Sequence, residues 1–80
     1  MTPTVGRIVH FYTSNRGVQS NGVGDGPYAA IITQVFGDGD DAYSNLKVFY
    51  PFGEIRDEGS VQNKDFSATP DRYWVWPPRE

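Results

Sequence analysis

Short runs of β-branched and aromatic residues, each bounded by Gly, Asn, Asp or Pro, recur along the chain, and no stretch shows helical periodicity. That punctuation predicts an all-β fold. At 80 residues there is room for one hydrophobic core, so residues 1–80 form a single domain. A core of this size rarely supplies more than about 3–5 kcal/mol of net stability, and such domains usually gain help from disulfides, metals or self-association. Cysteine is absent, which removes disulfides and thiolate metal sites together and leaves oligomerisation as the ordinary route.

The run Arg7-Ile8-Val9-His10-Phe11-Tyr12 sets Ile8, His10 and Tyr12 on one strand face and Arg7, Val9 and Phe11 on the other. Tyr28-Ala29-Ala30-Ile31-Ile32-Thr33-Gln34-Val35-Phe36 is almost continuously apolar, which predicts a central strand covered on both sides. Between them, residues 13–27 have turn-forming composition and predict a flexible loop, either a binding loop or a tolerated insertion. Gly37-Asp38-Gly39-Asp40-Asp41 supplies a hairpin turn into Asn45-Leu46-Lys47-Val48-Phe49-Tyr50, where Leu46, Val48 and Tyr50 share a face. Pro51-Phe52-Gly53 predicts a reversal into short strands at Glu54-Ile55-Arg56 and Ser60-Val61-Gln62. Residues 64–71 read as a loop with Phe66 tucked in, and the last strand, Tyr73-Trp74-Val75-Trp76, is stopped by Pro77-Pro78. Five or six strands in this space predict a small SH3-like barrel or rolled antiparallel sheet.

The inventory for catalysis is short. His10, the single histidine, lies inside an apolar strand, where a packed imidazole is commoner than a general base, and no nucleophile elbow or zinc-ligand spacing accompanies it. The acidic run Asp38-Gly39-Asp40-Asp41 breaks the calcium-loop pattern at Ala42 and Tyr43 and reads as a solvated turn. Gly22-Val23-Gly24-Asp25-Gly26 precedes a strand, whereas a phosphate cradle requires a helix to follow it. These features predict a protein that binds rather than catalyses, with no metal and no cofactor.

Aromatic residues make up 15% of the chain and accompany arginines at positions 7, 16, 56, 72 and 79, a supply from which a nucleotide pocket can be built. Arg7, Arg72 and Arg79 are the candidates for anion contact; Tyr12, Tyr28, Trp74 and Trp76 are the candidates for stacking. Much of the aromatic content must also serve the core or a subunit interface. Trp74 and Trp76 share one face of the last strand and Tyr73 and Val75 the other, so one pair is left outside any barrel. A net charge of −3 argues against nucleic acid and anionic lipid, and binding of single strands on an aromatic sheet is the weaker third reading. The N-terminal residues lack the basic-then-apolar order of a secretory signal and no apolar run is of spanning length, which predicts a cytoplasmic protein without membrane contact.

The ends of the chain, Gly6-Arg7-Ile8-Val9-His10-Phe11-Tyr12 and Trp74-Val75-Trp76-Pro77-Pro78-Arg79, together with Tyr28-Ala29-Ala30-Ile31-Ile32, resemble a group of small bacteriophage and prophage proteins. Those proteins open with a Gly-Arg-Ile-Val-His-Tyr run and end in Trp-x-Trp-Pro. The resemblance implies action in the cytoplasm of an infected bacterium. Two functions are then expected. One is an oligomeric sponge that sequesters a nucleotide-derived defence signal; the other is a protein-interaction or minor virion module, with a host or virion protein as partner, that uses the aromatic C-terminal strand.

Overall fold

A computed structural model describes residues 2–14, 25–51, 55–68 and 71–78. Among these, five strands form one antiparallel sheet: β1 (Ile8–Thr13), β2 (Tyr28–Phe36), β3 (Tyr43–Phe49), β4 (Ile55–Val61) and β5 (Arg72–Val75), in the order β4-β3-β2-β1-β5. The sheet curls into a half-barrel, and the all-β expectation holds. No helix among the described residues is long and apolar enough to cross a membrane.

Strand alternation sorts the side chains. Val9, Phe11, Tyr28, Ala30, Ile32, Leu46, Val48, Tyr50, Val61 and Trp74 face inward and form the core. Its centre is the cross-strand row Tyr28–Phe11–Trp74, which joins β2, β1 and β5. Tyr28 also packs against Tyr50 with ring centroids 4.8 Å apart, and Trp74 meets Trp76 edge-on at 4.9 Å.

Two irregularities help the sheet curl, since an unpaired extra residue bends a strand and increases its twist. One interrupts the β2–β3 register between Ile32 and Gln34; the other lies between Ser44 and Leu46 in the β3–β4 register, where Ser60 adopts φ 55°. Asn45 joins them: its Oδ1 accepts the Ser60 N–H at 3.0 Å, and its Nδ2 donates to Gln34 Oε1 at 3.3 Å.

The half-barrel closes at one end. Trp74 N donates to Gln62 O and Lys64 N to Trp74 O, so the chain just after β4 lies parallel to β5. Arg72 braces the remaining seam: its Nη2 donates to Gly59 O at 2.7 Å and lies 3.1 Å from Glu58 Oε1. At the opposite side, Thr13 N donates to Asp25 O and Ser14 N to Asp71 O, both at 2.9 Å, which fixes the chain where β1 ends and where it returns to β2.

Several expectations change. β2 is the central strand, but it is not sheathed on both faces: on the outer face Ala29 is exposed and Ile31 half-buried, because among the described residues no second layer lies over them. The two short strands expected around 54–56 and 60–62 are one bulged strand, β4, because Leu46, Lys47, Val48 and Phe49 pair with it continuously. Phe66 is not tucked in: it is 47% exposed, on a turn that Asn63 holds by accepting the N–H groups of Phe66 and Ser67 at its carbonyl. Of the expected 13–27 loop, Thr13 belongs to β1 and is buried, and residues 15–24 lie outside the described residues, as do 52–54 in the predicted reversal.

Candidate functional site

The six described candidates do not converge on one cleft. Tyr28 and Trp74 are 1% and 0% exposed, so core packing already covers both faces of each ring and neither offers a stacking surface. The Trp74 indole N–H donates to Val61 O at 3.3 Å, a contact that ties β5 to the end of β4. Arg72 is committed to the seam by Gly59 and Glu58. Arg79 lies outside the described residues. Arg7 and Trp76 do meet, with the guanidinium 5.0 Å from the indole centroid, and the contact holds the plane of a half-buried ring.

Arg72→Ala tests the bracing role. Its side chain is about one-third exposed, so the hydrogen bond and ion pair are discounted for solvent, and the loss in urea unfolding is expected to be about 1 kcal/mol. An unchanged midpoint would remove Arg72 from the seam and return it to the pool of free cations.

Tyr12 is the stacking candidate whose place suits a surface role. It is paired in register with Tyr73, and the two rings stack at 5.3 Å with an interplanar angle of 20°, both half-buried on the outer face. Lys64 Nζ lies 5.7 Å from the Tyr73 centroid and gives this ledge a cationic rim. Tyr73, which is not one of the four stacking candidates, shares this ledge. The signal was in the alternation, because once the tryptophan face is inside, Tyr73 and Val75 are the outer pair.

The ledge continues into an apolar row. Ile55, Phe49, Ala29, His10 and Val75 are successive register partners across all five strands on the outer face. Ile55 in this row and Ile8, which begins the next row on β1, are 59% and 60% exposed. His10 is therefore a surface neighbour of Ala29 and Val75, half-buried and outside the core. The charges of the next row, Lys47 and Asp57, pair with each other at 3.3 Å.

The described residues also line concavities. An open apolar groove of about 310 Å³ is lined by Phe36, Tyr43 and Ser60. A smaller cleft of about 150 Å³ is lined by Asp40, Asn63, Asp65, Phe66 and Trp76. Thr2 Oγ1 donates to Asp40 Oδ1 at 2.8 Å, and this hydrogen bond holds the Asp40 carboxyl below the usual carboxylate range. No family model matches the chain, and neither a curated protein nor a solved structure resembles it significantly.

Proposed function

We propose that the chain is a non-enzymatic protein-interaction module that holds an extended segment of a partner protein across the Tyr12–Tyr73 ledge. The observation that carries this reading is the stack itself: two outward rings, paired in register on β1 and β5, with Lys64 at their edge. Stacked aromatics give a flat apolar platform at small entropic cost, and aromatic-lined surfaces are the usual seat of proline-rich extended segments. Lys64 favours a segment with a carboxylate beside the contact. In the setting implied by the chain ends, the partner is a host or virion protein. The row from Ile55 to Val75 adds an apolar surface for self-association. The nucleotide-sponge reading has less support, because among its described residues Tyr28 and Trp74 are buried in the core and Arg72 is held by Gly59 and Glu58.

Titration of isotopically labelled protein with proline-rich peptides, flanked by either Asp or Lys, tests the proposal. The Asp-flanked peptide is expected to shift the amides of Tyr12, Tyr73 and Lys64 saturably. Tyr73→Ala, with its fold checked by signal dispersion, is expected to weaken binding at least about tenfold, equivalent to about 1.4 kcal/mol. Cyclic nucleotides and ADP-ribose run beside the peptides; a nucleotide response with silent peptides would overturn the reading in favour of the sponge. Sedimentation of the same samples reads self-association.

A further inference from the structure

We infer, on the basis of the interaction module proposed above, that the ledge recognises the main chain of its partner: the Tyr12 and Tyr73 hydroxyls donate to two backbone carbonyls of an extended, proline-rich segment. The ring faces are already covered within the fold. Tyr73 has Tyr12 stacked against it at 5.3 Å and the Lys64 ammonium over it, 5.7 Å from its centroid. β1 and the chain that carries Lys64 flank β5 on opposite sides, so these two neighbours cover opposite faces of the Tyr73 ring. Tyr12 has Tyr73 on one side and the Gly26 backbone on its Cγ–Cδ2 flank, so close that an added Cβ would come within 2.9 Å of Cδ2. A nucleobase or other flat ring therefore finds no open face to stack on. What the pair offers outward is its phenol ends. Both residues are half-buried, and among the described residues neither hydroxyl has a hydrogen-bond partner.

The chemistry of these groups selects the ligand. A phenol O–H donates and Lys64 brings further donors, whereas a proline run is the converse, a row of carbonyl acceptors without N–H groups. In the polyproline II helix those carbonyls make no internal hydrogen bonds, and residues i and i+2 are about 6 Å apart along the axis. The 5.3 Å between the rings is close to that repeat. The further 5.7 Å to Lys64 adds about one more repeat, which sets the partner's carboxylate two residues beyond the second bound carbonyl. Gly26 at one end and Lys64 at the other hold the stack before the partner arrives, and this lowers the ordering cost of binding.

The test removes the hydroxyls and keeps the rings. The Asp-flanked proline-rich peptide is titrated into the unaltered chain, Tyr12→Phe, Tyr73→Phe and the double Phe variant, with adenosine as a flat-ring probe and the amides of positions 12, 64 and 73 as reporters. Signal dispersion verifies that the Phe variants keep the fold. Each single variant is expected to bind the peptide about two- to tenfold more weakly, as the loss of one net hydrogen bond implies, and the double variant about five- to a hundredfold. Adenosine is expected to give no saturable shift. Unchanged peptide affinity in the double Phe variant, with binding still lost in Tyr73→Ala, overturns the hydroxyl contacts and leaves the ledge standing. Saturable adenosine binding at these amides overturns the covered ring faces. Absence of peptide binding by the unaltered chain overturns the interaction module itself, and the carbonyl contacts with it.

Discussion

Trp74→Ala is expected to leave the protein largely unfolded at 25 °C. The indole is fully buried at the β5 end of the row that joins β2, β1 and β5, and it packs edge-on against Trp76. Truncating a buried Trp or Phe to Ala costs about 3–5 kcal/mol, by lost transfer energy and by the cavity left behind. A domain of this size has a net stability of about the same amount, so the substitution removes most of it. Trp74→Phe keeps a ring in place and loses the rest of the indole with its hydrogen bond to Val61 O, and it should unfold at a lower urea concentration while remaining folded in buffer. Collapse of amide dispersion in the Ala variant, with retention in the Phe variant, is the pattern to be measured. A folded Ala variant would mean that the core does not depend on this row.

Gly26→Ala is the second large effect, and its cause is backbone rather than side chain. Gly26 has φ +140°, a conformation that L residues avoid, and a Cβ there would lie 2.8 Å from the Phe11 carbonyl oxygen and 2.9 Å from Tyr12 Cδ2. The oxygen belongs to β1 next to its pairing with Tyr28, so it cannot retreat without disturbing the β1–β2 ladder. Strain and displacement together are expected to cost about 2–3 kcal/mol, or roughly 8–24 °C in Tm. Gly6→Ala is the matched control. Its φ is +92°, but nothing lies within 4 Å of the added Cβ, so it carries the conformational strain alone and should fall by less. Equal losses at the two positions would show that the contact with Phe11 and Tyr12 is not the cause.

The alternation that a sheet imposes made much of the fold readable. Leu46, Val48 and Tyr50 share the inner face because a strand repeats every two residues, and Val9 and Phe11 do the same on β1. Alternation does not tell how many layers cover a strand, and this is why β2 read as sheathed on both sides while on its outer face Ala29 is exposed and Ile31 only half-buried. A bulge hides in the same way: Asp57, Glu58 and Gly59 look like a break between two short strands, whereas Asn45 satisfies the Ser60 N–H and carries the pairing through.

The site was less legible. Residue type names the candidates but does not say which are spent on structure. Arg72 and Arg7 are alike in sequence, yet one lies in the seam between strands and the other on an indole face. The 63–66 turn carried no motif at all, and only the folded chain brings Asp40 from the β2–β3 turn to Asp65 and Trp76.

The two hydrogen bonds that tie Thr13 to Asp25 and Ser14 to Asp71 have an evolutionary consequence. They set the points at which the connection between β1 and β2 leaves and rejoins the sheet, so the register of those strands does not depend on what is spliced between. Each doubling of the length of chain between two such anchors costs only about 0.6 kcal/mol of closure entropy. Descendants of this chain can therefore lengthen, shorten or replace residues 15–24 at little thermodynamic risk, and the domain can acquire new binding sequences there while its framework stays unchanged.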